Sequence, residues 1–256
     1  MGLFGSKKKK APISEENRIW MEQNFSWLFY QFEAIAIKDR KVYLPLTEDF
    51  PVKFEDNPKT VEQVVRIVAE AMSIDFNKLR LHTFSNGIKQ FSFGTSLLFT
   101  GNENDTEAAG TYLEDKNGHF NISIDSALLT DGEKLIATVA HELAHVKLLG
   151  ERRIEENDEP LTDLTTVLFG FGIFNTNCSF NFSANVHSWG YSKLGYLPQN
   201  EWGYALALFA YCREENNPAW LSYLNKQSKI DFKNSMDWIL ANEDLIWKDP
   251  NSENQT

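Results

Sequence analysis

Cysteine is nearly absent from this chain: Cys178 and Cys212 are the only two, so no disulfide framework can be drawn and a reducing compartment suits the composition. Positive charge is scarce too, with 25 lysines and arginines against 36 aspartates and glutamates, a formal net charge of −11. Nucleic acid calls for a basic face, which that balance argues against. An acidic surface favours basic substrates in some proteins and serves solubility in more of them. No apolar run reaches the length of about 18 residues that a membrane span needs. Internal repeats and glycine-rich phosphate loops are also missing.

The opening residues, Met1-Gly-Leu-Phe-Gly-Ser-Lys-Lys-Lys-Lys10, have no apolar stretch behind their charges, so no secretory signal is expected and a cytoplasmic location follows. The sequons at Asn104, Asn121, Asn177 and Asn181 carry little weight without such a signal. Met-Gly-x-x-x-Ser does match the N-myristoylation pattern, and the lysines behind it would supply a second membrane signal. The reading adopted is a disordered basic tail over 1–11, with peripheral membrane attachment through the N-terminus as the alternative.

What the chain does have is aromatic and aliphatic bulk (Phe 19, Trp 7, Tyr 8), enough for a folded core in one domain or two small ones. It also has His141-Glu142-Leu-Ala-His145. Helical positions four apart lie nearly above one another, so two imidazoles can each give one nitrogen to a single Zn²⁺. Glu142 then sits beside the metal without binding it, where it can accept a proton from a zinc-bound water. The flanking sequence reads as helix. Asp131 is a natural N-cap, Glu133 suits the positive end of the dipole, and Gly150 is placed to end the helix. Leu135, Ile136, Val139, Leu143 and Val146 make a core stripe roughly 100° wide, and His141, His145 and Thr138 project about 140–180° from its middle.

A catalytic zinc needs a third protein ligand and one open position. Downstream, a second helix is expected to start at an Asp158 N-cap with Pro160 in its first turn, burying Leu161, Leu164 and Leu168. Its other face carries Glu159, Asp163, Thr166 and Gly170. With His-Glu-x-x-His followed by Glu159-x-x-x-Asp163, the chain over roughly residues 110–172 resembles the gluzincin-type zinc metallopeptidases, the group that includes thermolysin. The resemblance implies that Glu159 binds zinc and that Asp163 braces His141. The link from His145 to Glu159 is shorter than is usual in that group, which keeps Asp163 and Glu156 open as the third ligand.

Elsewhere, an aromatic helix is expected from Pro12 to Lys38, capped at Ser14, and a short strand at Val42–Leu44. Thr60-Val-Glu-Gln63 reads as a capping box for a helix to about Met72. Alternation predicts strands at Leu79–Phe84, Phe91–Phe99, 109–115 and 119–125, the last two a hairpin turning at Asn117-Gly118. Either hairpin strand is a candidate edge for substrate strand addition. His82 and His119, both in strands, read as surface or core residues. Helices are expected at Glu201–Arg213 and Asp231–Ala241. Peptidases of this kind need a Tyr or His to stabilise the oxyanion. His187 and Tyr191 are the candidates carried forward, with Tyr196 and Tyr204 behind them and packing as the ordinary role of each tyrosine.

The expected protein is thus α+β, a zincin-like catalytic core of twisted sheet and metal-binding helix with flanking helices. The expected segments are a tail at 1–11, a helical or αβ segment at 12–78, the core at 79–175, a helical segment at 176–246 and a polar tail at 247–256. The expected function is zinc-dependent hydrolysis of a peptide or protein substrate, with Glu142 as general base and His141, His145 and Glu159 as ligands. The alternative is a catalytically silent zincin-like protein with a metal-binding or regulatory, protein-interaction role.

Overall fold

The computed structural model of the chain describes residues 10–84, 110–185 and 197–246. Its secondary structure is mixed, with helices and one small mixed sheet. The chain divides into two compact units, Lys41–Tyr196 and a unit formed by Met1–Arg40 with Leu197–Thr256. The boundaries expected at 78/79 and 175/176 fall inside the first of these. None of the described helices is long and apolar enough to cross a membrane.

The unit built from both ends of the chain contains α1 (Glu15–Gln31), α6 (Gln199–Cys212) and α7 (Lys226–Leu240). Ser14 caps α1 by accepting from the Asn17 N–H. The helix stops well short of Lys38, because Glu33 takes a left-handed conformation (φ 46°) and Ala34–Asp39 continues as a 3₁₀ helix. Apolar side chains at i, i+4 and i+7 are buried on α1 (Met21, Phe25, Leu28) and on α7 (Phe232, Met236, Ile239). Tyr204 of α6 is fully buried, and its hydroxyl donates to Glu22 Oε1 at 2.6 Å, while Glu22 also pairs with Arg18. That tyrosine has a core role.

In Lys41–Tyr196 the helices are α2 (Pro58–Ala71), α3 (Gly132–His145), α4 (Glu159–Leu168) and α5 (Gly172–Asn185). The strands are β1 (Leu79–Phe84), β2 (Gly110–Glu114) and β3 (Phe120–Asp125). They form a sheet of order β1-β3-β2, parallel between β1 and β3 and antiparallel between β2 and β3. The β2–β3 hairpin turns through Asn117 and Gly118 (φ 75°), and Asp115 Oδ1 accepts the N–H groups of Asn117 and His119. Among the described residues β2 is therefore an outer strand and β3 the inner one, which separates the two candidate edges. Phe91–Phe99 lies outside the described residues.

Several local expectations fail for identifiable reasons. Val42–Leu44 is not a strand, and Tyr43 instead donates its N–H to the Gly170 carbonyl. The cap of α2 is Asn57, which accepts from the Lys59 N–H ahead of Pro58. Thr60 is already inside that helix and gives its hydroxyl to the Glu55 carbonyl. Gly150 does not end α3: a π turn, Val146–Gly150, follows the helix, and the left-handed residue is Arg152 (φ 59°). Gly150 faces the Phe120 ring, where an added Cβ would meet Phe120 Cε1 at 2.8 Å. Gly170 is not on the polar face of α4 but beyond its end, with φ 87°, where a side chain would collide with the Lys41 carbonyl.

Helix α3 is the hub of this unit, packed by α2, α4 and α5 and by β2 and β3. Leu135, Ile136, Val139 and Leu143 form its apolar stripe and are buried. Truncating Leu135, Ile136 or Leu143 to alanine costs on the order of 2–5 kcal/mol. The histidine face is buried as well, because α4 covers it.

Candidate metal centre

Every residue of α4 from Leu161 to Leu168 is buried, although three of them are threonines and one is an aspartate. The threonines satisfy themselves locally: Thr162 donates to the Asp158 carbonyl, Thr165 to Leu161 and Thr166 to Asp163. A polar helix can therefore lie against α3 without stranded hydroxyls. Asp158 caps it by accepting from the Leu161 N–H, and this fixes Glu159 in the first turn, where the helix dipole favours a carboxylate.

Between α3 and α4 three side chains converge. His141 Nε2 lies 3.2 Å from His145 Nε2 and 3.0 Å from Glu159 Oε2, and Glu159 Oε2 lies 3.5 Å from His145 Nε2. These three residues form a group able to hold a metal ion, all ligand atoms lying within 4.8 Å of one another. Asp163, 2% exposed, sits on the far side of His141 with its Oδ1 3.0 Å from Nδ1. Glu156, the other alternative for the third ligand, is exposed and outside the group. His82 faces Asn121 within the sheet and His119 faces Asp115 in the hairpin turn. The oxyanion candidates His187 and Tyr191, and Tyr196 with them, lie outside the described residues.

The electrostatics follow from three buried or half-buried carboxylates (Glu142, Glu159, Asp163) around two imidazoles. Burial opposes a charge on His141, but the carboxylates of Asp163 and Glu159 outweigh it and raise its pKa to about 10. Burial likewise opposes ionisation of Glu159, and hydrogen bonds from His141 and His145 overcome it, holding that carboxyl well below the usual range. Glu142 is pushed up by burial, with the two histidines pulling the other way.

Several supporting residues are not evident from the motif alone. Asn157 donates its side-chain N–H to Glu159 Oε1 at 2.8 Å, leaving Oε2 for the histidines. Tyr112 of β2 stacks on His145 with ring centroids 6.1 Å apart and planes 21° apart. Burial pushes its phenol up to about 12. Gly110 opens β2 against Glu142: a Cβ there would lie 2.7 Å from Thr138 Cγ2 and 2.9 Å from Glu142 Oε1. Thr162 could have been found on a helical wheel, since it falls about 60° from Glu159. Gly110 and Tyr112 carry no such signal, because their neighbours come from another element.

Comparison with protein-family models, with curated proteins and with solved structures gives no match for this chain.

Proposed function

We propose that this chain is a zinc-dependent metallopeptidase whose Lys41–Tyr196 unit contains a zincin-like catalytic core with a gluzincin-type ligand set. One observation carries the reading. Ligand atoms about 2.0–2.1 Å from a tetrahedral zinc stand about 3.3 Å apart, and the three edges of the His141–His145–Glu159 triangle measure 3.0, 3.2 and 3.5 Å. Two nitrogens and one carboxylate oxygen are the donor set of a hydrolytic zinc site that keeps a position open.

Zinc bound there supplies a Lewis acid that polarises a peptide carbonyl and acidifies the attacking water. Glu142 lies next to His141 and is not part of the ligand triangle. Among the described residues no hydrogen bond engages its carboxylate, so its oxygens are available to the reactants. It takes the proton of the attacking water and delivers it to the leaving amine. Asp163 accepts the His141 Nδ1–H and so keeps Nε2 turned toward the metal. A substrate backbone adding to the outer edge of β2 would pass the base, since β2 starts at Gly110 beside Glu142.

The test pairs metal content with turnover. Protein purified without chelator should hold about one zinc per chain and should cleave an unfolded protein substrate. Glu142→Gln should keep the zinc and lose about 10²-fold or more in rate. Chains free of zinc would overturn the reading. Zinc with no cleavage by the wild-type chain would leave the silent metal-binding protein in its place.

A further inference from the structure

Among the described residues a carboxylate faces Nδ1 of His141, and none faces Nδ1 of His145. Its Nδ1 faces the hydroxyl of Thr162 at 3.4 Å. Thr162 is fully buried, and its Oγ1 also lies 2.8 Å from the Asp158 carbonyl oxygen. A hydroxyl has one proton, and a carbonyl oxygen can only accept. At 2.8 Å against 3.4 Å the Asp158 oxygen is the nearer acceptor, so the Thr162 proton goes there, and toward His145 the hydroxyl presents only lone pairs. An imidazole with a bare Nδ1 would set lone pair against lone pair, whereas one carrying its proton on Nδ1 makes a hydrogen bond.

At the other end of the ring, His145 Nε2 faces His141 Nε2 at 3.2 Å and Glu159 Oε2 at 3.5 Å. Glu159 alone would favour a proton on Nε2, and that is the nitrogen a metal needs bare. Glu159 and Thr162 thus compete for the tautomer of one ring, with His141 Nε2 as its third neighbour. We propose that Thr162 is the positioning residue that decides it, holding His145 as the Nδ1–H tautomer and leaving its Nε2 lone pair free for the cation. The consequence for metal affinity rests on the zinc reading above. The tautomer assignment rests only on the geometry around Thr162.

Thr162→Val keeps the branched shape and removes the oxygen. The Asp158 carbonyl stays bonded through the Thr162 backbone N–H at 2.9 Å, so the variant leaves no orphan acceptor. Nitrogen-15 spectra of the histidine side chains, recorded on the metal-free chain in mildly alkaline buffer, report which ring nitrogen carries the proton. The wild-type chain should show His145 protonated on Nδ1, and Thr162→Val should shift it toward Nε2. Zinc affinity of the valine variant, read by chelator competition, should fall about 10–100-fold, and Thr162→Ser should restore both tautomer and affinity. A wild-type His145 protonated on Nε2, or a valine variant with unchanged tautomer, would overturn the proposal. Failure of the wild-type chain to bind zinc, with Nδ1–H in place, would remove the metal reading while upholding the tautomer assignment.

Discussion

Glu159 Oε2 and Asp163 Oδ1 approach the same imidazole from opposite ends, each 3.0 Å from a ring nitrogen of His141. One turn of α4 separates the two carboxylates, so a single helix clamps the ring and gives each carboxylate a different nitrogen. The division of labour is visible in their surroundings. Glu159 also reaches His145 Nε2, whereas Asp163 is buried at the end of His141 that faces away from the triangle.

Glu159→Ala should therefore abolish stoichiometric zinc binding, because two remaining nitrogens cannot close the site. Asp163→Ala should retain zinc with an affinity weakened about 10–100-fold. Equilibrium dialysis against zinc buffers measures both. The reverse order of severity would mean that the ligand triangle is not the binding site.

His141→Ala and His145→Ala should each lose the metal, as Glu159→Ala does. Metal analysis after gel filtration is the check. The metal retained by both histidine variants would place it elsewhere in the chain.

Gly110→Ala should separate chemistry from binding. The new methyl would press on the side chains of Thr138 and Glu142, neither of which belongs to the triangle. Hydrolysis should fall further than zinc affinity, because displacing a base by even 1 Å can cost about 10²-fold. Parallel loss of both would show that β2 supports the ligand helix as a whole.

Zinc binding should release a proton. The pKa of His141 is raised from its ordinary 6.5 to about 10. Its charge thus stabilises the metal-free fold fully below pH 6.5, and that contribution is lost as pH rises through about 10. A metal must displace the same proton, so zinc affinity should rise with pH across that window. Glu159, held below the usual carboxyl range, is already ionised and releases nothing. Calorimetry in buffers of different ionisation heat should give about one proton per zinc at neutral pH. A binding heat independent of buffer would contradict the assignment.

Much of the local structure around the site was legible in sequence because it depends on neighbours within one turn. Asp131 and Asp158 cap the helices they were expected to cap, since an N-cap needs only a side-chain oxygen and an N–H three residues on. The Asn117-Gly118 turn was legible for the same reason. The end of α3 was not: glycine at 150 looks like a terminator, but its place is set by the Phe120 ring of another element. Likewise Thr60 resembles a capping residue, while Asn57 and Pro58 start the helix one turn earlier.

The sequence by itself determined the donor types and their helical spacing: two imidazoles four residues apart, a carboxylate beside the first, and two more carboxylates four apart downstream. Periodicity settles that much, because a helix fixes which residues share a face. Only the tertiary structure decided which carboxylate meets which nitrogen, and put Gly110 and Tyr112 of β2 against Glu142 and His145. Those contacts depend on how one element packs on another. Distances of about 3 Å between residues far apart in the chain are fixed by that packing, and no local pattern encodes them.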